Sequence, residues 1–352
     1  MEQITTVAVD LAKDVIVVVG GNCAGREVMT RQFSFYGFGQ WAATVPPCVF
    51  GMEACTSAHY WSRRLESYGH TVRLMAPEFV KPFRKSQGAK NDRNDARAIL
   101  IAVRQPDMRF VPAKTVEQQT ILSVHRMRKG FSFERTSLIN RIRGLLAEFG
   151  VWIRPSPPAL KRALPKVFED ETLPQQLRQL LREAREHLVQ IEGQMARCEV
   201  EIRDHAQNDD AARPLAAIVG VGPITASAAV STIPHAKHFK NGRQMGAWLG
   251  LVPRQNSSGG KVRLGRITRR GDAYLRGLLT SGARTTLLLA LRKAPEKRNR
   301  LECWIVDVRG RMGYHKALVA IANKHARMMW AILAKGERYD PEAWQRCVAK
   351  VA

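Results

Sequence analysis

Four carboxylates occupy positions from which they could hold a metal ion. Asp10 ends an apolar, β-branched run that predicts the first strand, and Glu53 follows the apolar run 48–52, which predicts another. Asp92 and Asp95 lie three residues apart at the start of a predicted helix and therefore share one helix face. Carboxylate oxygens are the ligands that a hard cation such as Mg²⁺ requires, and two such ions about 4 Å apart can hold the attacking and leaving oxygens of a phosphodiester. The sequence thus predicts an acidic metal site suited to phosphodiester chemistry.

Each of these acids also has a purely structural explanation. Asp10 could shape the turn after its strand, and Asp92 and Asp95 could stabilise the start of a helix through its dipole. A structural explanation is adequate for any one of these acids. It is less adequate for all four together, because they occur in a chain with a formal net charge of +25. Clustered carboxylates repel one another unless a cation offsets their charge. We therefore keep the metal site as the hypothesis.

A glycine-flanked serine pair could supply a nucleophile. Ser257 and Ser258 precede two glycines in the basic segment 250–276, which reads GLVPRQNSSGGKVRLGRITRRGDAYLR. A serine on such a loop can attack phosphorus, and neighbouring cations would stabilise the charge that develops on the phosphoryl oxygens. The cations of this segment are Arg254, Lys261, Arg263, Arg266, Arg269, Arg270 and Arg276. The alternative is a flexible basic loop that only contacts the backbone of a nucleic acid.

The charge balance indicates the class of partner. The chain has 56 Lys and Arg residues against 31 Asp and Glu residues, an imbalance too large for a routine metabolic enzyme. It indicates a polyanionic partner, of which nucleic acid is the commonest. A ribosomal or membrane-surface protein is the alternative. The length of 352 residues and an apolar fraction of 45% predict two or three domains with ordinary buried cores.

Cysteine usage and the N-terminal sequence bear on location. The six cysteines are scattered without a CxxC pair, which predicts neither a zinc site nor a disulfide framework. The opening residues MEQITTVAVD lack the basic and apolar regions of a signal peptide. No run reaches the roughly 18 apolar residues that span a bilayer. We therefore expect a cytoplasmic protein.

The spacing of apolar residues predicts two kinds of structure along the chain. Predicted strands and helices alternate over the first hundred or so residues, which indicates an α/β fold. The segment 116–149 predicts a long basic helix instead. Its cations could bind nucleic acid, or some of them could simply form a solvated helix face. They are Arg126, Arg128, Lys129, Arg135, Arg141 and Arg143.

Two segments follow that could join and assemble domains. Residues 154–165 contain four prolines and predict a linker. Over residues 177–202 apolar residues recur at alternating spacings of four and three, which is a heptad seam. One interpretation is a coiled coil, either within the chain or between protomers. The other is an amphipathic helix packed on its own domain.

A helix–glycine–helix pattern lies near the start of the last third of the chain. Residues 215–226 read LAAIVGVGPITA, which predicts a helix-hairpin-helix in which Gly220 and Gly222 let backbone N–H groups approach a phosphate. A tight turn between two helices is the alternative. The remaining sequence predicts mainly helices.

These motifs together resemble a known family. The blocks that carry the resemblance are VAVDLAKD, GMEACTSAHYW, KNDRNDARAIL, IVGVGPITA, the serine segment quoted above and ANKHARMMWAIL, and they span nearly the whole chain. The sequence is similar to the DEDD-type insertion-sequence transposases of the IS110 family, which are relatives of the Piv DNA invertases. No single block would be specific, but the acidic blocks and the serine block together are.

The resemblance implies a fold and a set of site residues. It implies a RuvC-like, RNase H-type α/β domain over residues 1–155, a linker and coiled-coil insertion over 156–206, and a mainly helical transposase domain over 207–352. It implies that Asp10, Glu53, Asp92 and Asp95 bind divalent metal, Mg²⁺ or Mn²⁺. It also implies a serine that attacks DNA to form a phosphoserine link. Ser258, directly before the glycines, best fits that serine, with Ser257 as the alternative.

The resemblance further implies partners. Family members work with an RNA from the noncoding end of their own element, which pairs with donor and target DNA. They act as dimers that assemble into tetramers with active sites shared between chains. The heptad seam would suit such an assembly.

The sequence therefore predicts a site-specific DNA recombinase that moves an insertion sequence and acts on the bacterial nucleoid. One alternative is a metal-dependent RuvC-like nuclease or junction resolvase without covalent serine chemistry. Its cleavage would survive Ser258→Ala but not Asp10→Ala. Another alternative is a non-catalytic nucleic-acid-binding protein, whose binding would depend neither on Mg²⁺ nor on the four acids.

Overall fold

A computed structural model of the protein describes residues 3–12, 14–84, 92–233 and 235–340. The chain forms two compact units, Met1–Thr115 and Val116–Ala352. The long basic helix predicted after residue 116 belongs to the second unit, where it packs on other helices. No helix in the described residues is both long enough and apolar enough to cross a membrane.

The first unit alternates strands and helices, as the sequence predicted. Its strands are β1 (Thr6–Leu11), β2 (Ile16–Gly21), β3 (Glu27–Phe33), β4 (Val49–Glu53), β5 (Thr71–Met75) and β6 (Phe110–Val111). Its helices are α1 (Phe35–Thr44), α2 (Ala58–Ser67), α3 (Pro77–Val80) and α4 (Asp92–Ala102), and a 3₁₀ turn covers Lys81–Phe83. The strands form one mixed sheet in the order β3-β2-β1-β4-β5-β6. The central strands β1, β4 and β5 are parallel, and β2 and β3 are antiparallel additions at one edge.

Helices cover both faces of this sheet. Side chains alternate between the two faces along each strand. Val7 and Val9 of β1 pack with residues of α1 and α2, whereas Ala8 between them packs with residues of α4. A Cβ atom on Gly51 of β4 would lie 2.9 Å from the side chain of Val103, so only glycine allows the chain just after α4 to approach the sheet this closely. The unit is thus a three-layer α/β/α structure, with α4 and the short α3 on one face.

The second unit is mainly helical. Its helices are α5 (Val116–Glu148), α6 (Pro157–Glu169), α7 (Gln175–Asn208), α8 (Pro223–Thr232), α9 (Gly242–Trp248), α10 (Ala273–Arg292), α11 (Arg300–Met312) and α12 (Tyr314–Lys335). Its two short strands are β7 (Pro253–Gln255) and β8 (Leu264–Ile267). Helices α8 to α12 surround a core of buried aliphatic residues such as Leu279, Ala283, Ile321 and Met329.

The long helices α5 and α7 form an antiparallel pair. Arg128 and Arg135 of α5 form ion pairs with Glu199 and Glu192 of α7, at 2.6 and 2.9 Å, so the two chains run in opposite directions. The heptad seam of α7 is buried on residues of α5 and α6. Its buried members in this cluster are Leu177, Leu181, Leu188 and Ile191, which pack with Leu138, Ile142 and Leu146 of α5. The seam is therefore occupied within its own unit.

The prediction of an irregular linker over residues 154–165 was wrong, because most of that segment is helix α6. The Ser156 hydroxyl caps this helix by accepting a hydrogen bond from the Ala159 N–H at 3.2 Å. Pro157 and Pro158 lie in the first turn, where a helix needs no N–H donor. Leu160 and Leu164 bury the apolar face. Proline here marks the start of a helix rather than its absence.

Candidate active site and nucleic-acid interface

The sheet places Asp10 and Glu53 next to each other. In the parallel pairing of β1 with β4, Val9 lies opposite Met52, so the next residues along each strand, Asp10 and Glu53, are neighbours. Strand alternation puts Asp10 on the same face as Ala8, and Glu53 on the same face as Gly51, which is the face covered by α4. The first turn of α4 carries the other two predicted acids, Asp92 and Asp95.

Arg84 links two of these carboxylates. Its Nη2 atom lies 3.3 Å from Oε1 of Glu53, and its Nε atom lies 3.1 Å from Oδ1 of Asp95. Both carboxylates are more buried than the guanidinium that joins them. Sequence reasoning missed Arg84, since a single arginine among several cations between two acidic motifs gives no distinguishing pattern.

The electrostatics show that the four acids share one neighbourhood. Burial raises the pKa of Asp10 to about 6, and the nearby charges of Asp95, Glu53 and Asp92 add to the effect while Arg84 opposes it. Burial also raises the pKa of Glu53, with Arg84 again opposing and Asp95 adding. The four predicted carboxylates therefore lie in one region of the first unit, near enough to influence one another's charge, and their mutual repulsion is partly offset by Arg84.

The donor set suits a hard cation by its chemistry. All of its members offer carboxylate oxygens, the ligand type of Mg²⁺ and Mn²⁺. Within the described residues, no group of three or more His, Cys, Asp or Glu side chains converges closely enough to hold one ion. Arg84, placed between Glu53 and Asp95, supplies the positive charge there.

The predicted serine loop is an ordered β-hairpin. Strands β7 and β8 pair antiparallel, and an isolated bridge joins Ser258 to Lys261 beyond them. The Lys261 N–H donates to the Ser258 carbonyl oxygen at 3.1 Å. Gly259 and Gly260, with φ of +57° and +76°, occupy the two central turn positions, and such a two-residue turn requires positive φ at both. The glycines thus shape a tight turn rather than loosen a loop.

The two serines differ in their hydrogen bonding. The Ser257 hydroxyl accepts a hydrogen bond from the Arg263 N–H across the hairpin at 3.1 Å. Ser258 is exposed at the tip, and no hydrogen bond in the described structure engages its hydroxyl. Both serines are exposed, and Ser258 is the one whose hydroxyl has no hydrogen bond to give up in the described structure.

The cations of the hairpin are of two kinds, those exposed to solvent and one that is hydrogen-bonded within the protein. Arg254, Lys261, Arg263, Arg266, Arg269 and Arg270 are exposed. Arg276 instead donates from Nη1 to the carbonyl oxygens of Leu249 and Arg270, at 3.1 and 2.8 Å. Arg276 therefore fixes the base of the hairpin to the start of α10.

On α5 the predicted nucleic-acid-binding cations are also of two kinds. Arg126, Lys129 and Arg141 are exposed. Arg128 is held by Glu199, and the Nε of Arg143 donates to the carbonyl oxygen of Ile153 at 3.2 Å. Arg128 and Arg143 are therefore engaged within the protein and do not form the solvated helix face that was the alternative.

The predicted helix-hairpin-helix is only half present. Its first helix is a short 3₁₀ turn, Arg213–Ala217, so the expectation of an α-helix there was wrong. A Cβ atom on Gly220 would lie 2.6 Å from the carbonyl oxygen of Gly282, so this glycine serves packing against α10. Gly222, at the N-terminus of α8, is exposed, and a Cβ there would meet nothing within 4 Å.

A buried histidine connects three helices of the second unit. His125 of α5 lies with Nδ1 3.0 Å from the Tyr274 hydroxyl of α10 and with Nε2 3.0 Å from the Ser227 hydroxyl of α8. Burial lowers its pKa to about 4, with Arg128 and His205 adding to the effect. Sequence reasoning missed this histidine, because one histidine at an apolar helix position gives no sign of its partners.

An α/β unit with clustered carboxylates, joined to a basic helical unit, is an organisation suited to an enzyme that cuts DNA strands. Comparison with known proteins makes this specific. Residues 7–150 match the DEDD transposase model of the IS110 type, and residues 212–299 match the model for the IS116/IS110/IS902 transposase family.

Full-length relatives agree. The chain is 42% identical over 342 residues to a "Probable family 20 transposase" of Pseudomonas aeruginosa, covering 96% of this chain and 99% of that protein. It is 36% identical to the transposases of insertion sequence elements IS1328 of Yersinia enterocolitica and IS1111A of Coxiella burnetii, covering 96% of this chain and 98% and 92% of theirs. The chain belongs to the IS110/IS116/IS902 family of transposases. It is a DNA transposase, an enzyme of insertion-sequence transposition.

Proposed function

We propose that this transposase cuts and rejoins DNA with two sets of groups, a carboxylate cluster that holds divalent metal and a serine nucleophile. The observation that carries the proposal is that Asp10 and Glu53, at the ends of adjacent strands, lie near the first turn of α4, which holds Asp92 and Asp95. The exposed Ser258 at a hairpin tip supports the second part. Metal and serine together would allow cleavage and religation without loss of the DNA ends.

Asp10, Glu53, Asp92 and Asp95 would hold Mg²⁺ or Mn²⁺. The ion, when bound, would polarise the scissile phosphate and offset its charge. Burial is the main cause of the raised pKa of Asp10, and the neighbouring carboxylate charges that add to it are what a bound cation would offset. Arg84 contributes positive charge at the same place and keeps Glu53 and Asp95 near each other.

Ser258 would be the nucleophile. Its hydroxyl oxygen attacks phosphorus, loses its proton to a base, and forms a serine–phosphate bond while one deoxyribose hydroxyl leaves the phosphorus. Attack by a deoxyribose hydroxyl of the recipient strand then forms the new phosphodiester and returns the proton to the serine. The serine–phosphate link would retain the free energy of the broken phosphodiester bond for the rejoining step. Exposed Arg254, Lys261 and Arg263 would stabilise the charge on the phosphoryl oxygens.

Partners and organisation follow as further parts of the proposal. An element-encoded guide RNA and the DNA would contact exposed cations such as Arg126, Lys129 and Arg141. Dimers would assemble into tetramers with shared active sites. We propose a RuvC-like domain over 1–155, a helical coiled-coil insertion over 156–206 and a transposase domain over 207–352. Family matches over 7–150 and 212–299 support the first and the last of these. The enzyme would act on the nucleoid in the bacterial cytoplasm.

Covalent trapping tests the chemistry. The protein is incubated with Mg²⁺, labelled donor and target DNA and RNA from the element, then denatured and separated on a gel beside Ser258→Ala, Ser257→Ala and Asp95→Ala. We expect a protease-sensitive labelled adduct that disappears with Ser258→Ala and Asp95→Ala and persists with Ser257→Ala. Cleaved DNA without an adduct, at full yield in Ser258→Ala, would contradict the serine mechanism and favour a metal-only nuclease. DNA binding without cleavage under any condition would favour a non-catalytic role.

A further inference from the structure

Three large aromatic side chains lie exposed next to one another on helices α1 and α2 of the first unit. Phe35 and Tyr36 at the start of α1 and Tyr60 of α2 are 41%, 84% and 38% exposed. We call these three residues the aromatic platform. Exposed aromatic rings forgo the favourable free energy of burial, so a contiguous set of them indicates a binding surface.

The rings of the platform are contiguous and supported from below. Phe35 lies parallel to Tyr60, with centroids 5.7 Å apart and planes at 23°, and meets Tyr36 edge-on at 5.9 Å. Beneath them, Trp61 is only 1% exposed and lies 4.8 Å from the Phe35 ring. Because a buried indole fixes Phe35 and Tyr60 from behind, their outer faces are presented in advance of binding.

An arginine borders the platform. Arg64 of α2 donates from Nη1 to the Tyr60 hydroxyl at 3.2 Å and from Nε to the Tyr68 hydroxyl at 2.8 Å. In the part of the chain that the structure describes, these partners are neutral, and no ion pair joins Arg64 to a carboxylate. The platform edge therefore keeps a positive charge, in a chain whose net charge is +25.

This combination fits the bases and phosphates of a single strand. Every unpaired base offers a flat face to an aromatic ring, and a bordering cation suits the adjacent phosphate. A basic protein partner is disfavoured by the positive charge, and a duplex hides its base faces. DNA is the substrate of this transposase, so DNA is the source of the single strand that we assign.

We propose that Phe35, Tyr36 and Tyr60 stack on unpaired bases of single-stranded DNA, with Arg64 beside its backbone. The platform lies with α1 and α2, on the sheet face opposite the one that carries Asp10, Glu53 and α4. It is thus separate from the carboxylate cluster. A strand opened during transposition would be held there away from the cutting site, which delays its return to the duplex.

The test uses the full-length protein and a short labelled oligodeoxynucleotide that contains 5-iododeoxyuridine. Affinity is measured by fluorescence anisotropy, and long-wavelength irradiation followed by mass spectrometry maps which aromatic residue contacts the modified base. We expect crosslinks to Tyr36 or Tyr60. We expect Tyr36→Ala to weaken binding about tenfold, since stacking contributes roughly 1–3 kcal/mol per base, and Tyr36→Phe to restore it. Trp152→Ala, which removes a 77% exposed aromatic residue of the second unit, is the matched control and should leave binding unchanged.

Three outcomes would overturn the proposal. The first is binding and crosslinking that persist unchanged in both Tyr36→Ala and Tyr60→Ala. The second is a tighter, platform-dependent affinity for RNA of the same sequence, which would reassign the surface to RNA. The third is a smaller oligomer for Tyr36→Ala in sedimentation with DNA binding intact, which would make the surface a protein interface. Asp10→Ala should retain the crosslinks, so failure here is distinct from failure of the proposed cutting mechanism.

Discussion

Arg84 shows how one side chain can control the behaviour of a carboxylate cluster. It contacts Glu53 and Asp95 and opposes the rise in the pKa of Asp10. Without it, the repulsion among the acids would be uncompensated except by a bound cation. The stability of the first unit should therefore depend on divalent metal, and more so when the arginine is absent.

We predict that Arg84→Ala lowers the free energy of unfolding by about 1 kcal/mol, a value typical of partly exposed ion pairs. Mg²⁺ should raise the melting temperature of Arg84→Ala by more than that of the unmodified protein, because the ion replaces the missing charge. Thermal unfolding with and without MgCl₂ measures both effects, and Arg84→Lys is the control that keeps a charge. An identical response to Mg²⁺ in all three proteins would contradict the prediction.

The sequence predicted the positions of the site residues better than the contacts that those residues make. The strand-end positions of Asp10 and Glu53 and the shared helix turn of Asp92 and Asp95 were predictable, because they follow from local patterns. Arg84 and His125 were not, since their roles come from contacts across tens of residues in the chain. The same limit applies to Ser257 and Ser258, which look alike in sequence and differ only through the hairpin bond to Arg263.

At the level of elements, the close approach of Gly220 to α10 shows a glycine whose role is packing. Its φ is +89°, and a Cβ atom there would lie 2.3 Å from Oγ1 of Thr286. Gly222, two residues later, has ordinary extended backbone and open space around it. A larger residue should therefore be tolerated at Gly222 but not at Gly220.

We predict that Gly220→Ala destabilises the protein by about 3 kcal/mol, from left-handed strain and the clash with α10 together. Gly222→Ala should cost under about 1 kcal/mol. Urea unfolding of the two variants provides the comparison. An equally small loss of unfolding free energy in both variants would contradict the prediction, because it would mean that the contact with Gly282 relaxes easily.

The buried His125 makes the joint among α5, α8 and α10 sensitive to acid. Its pKa is lowered from 6.5 to about 4, so below pH 6.5 the unfolded chain binds a proton that the folded chain does not. Stability is thus fully present above pH 6.5 and is lost as the pH falls toward 4. His325, buried in α12 with a pKa also near 4, acts in the same direction.

We predict a loss of about 3 kcal/mol from His125 between pH 7 and pH 4, at 1.36 kcal/mol per pKa unit. Denaturant unfolding at several pH values measures it. The pH dependence should be shallower in His125→Gln, which keeps polar atoms but cannot take up the proton. A slope unaltered by that substitution would assign the acid sensitivity to other groups.

Some elements were predicted with the wrong form or partner. The prolines of residues 157 and 158 suggested a linker, yet they begin α6 because Ser156 caps it. The seam of α7 was visible, but not its occupant, since apolar spacing shows that a face is buried and not against which helix. Strand β3 carries no clear apolar alternation, because it is an edge strand with exposed polar residues.

At the scale of the whole molecule, the excess of 25 positive charges should dominate DNA affinity and make it depend steeply on salt. The structure separates cations that can contribute from those that cannot. Arg254 and Arg263 are exposed on the hairpin, whereas Arg276 is bonded to backbone carbonyls beneath it.

We predict that Arg254→Ala or Arg263→Ala reduces the slope of log affinity against log salt by about 1 each, with folding unaffected. Arg276→Ala should instead lower the melting temperature, because two carbonyl groups lose their donor. Affinity titrations at several salt concentrations, paired with thermal unfolding, separate the two classes. A slope change without destabilisation in Arg276→Ala would contradict this division.

The seam of α7 is closed on α5 and α6 of the same chain, so this apolar face needs no second copy to bury it. A seam that waited for a second copy would make folding a bimolecular reaction, slow whenever the protein is scarce. We therefore expect the helical unit to fold in a unimolecular reaction, at a rate independent of protein concentration. On this expectation, even sparse expression of the transposase would yield folded molecules.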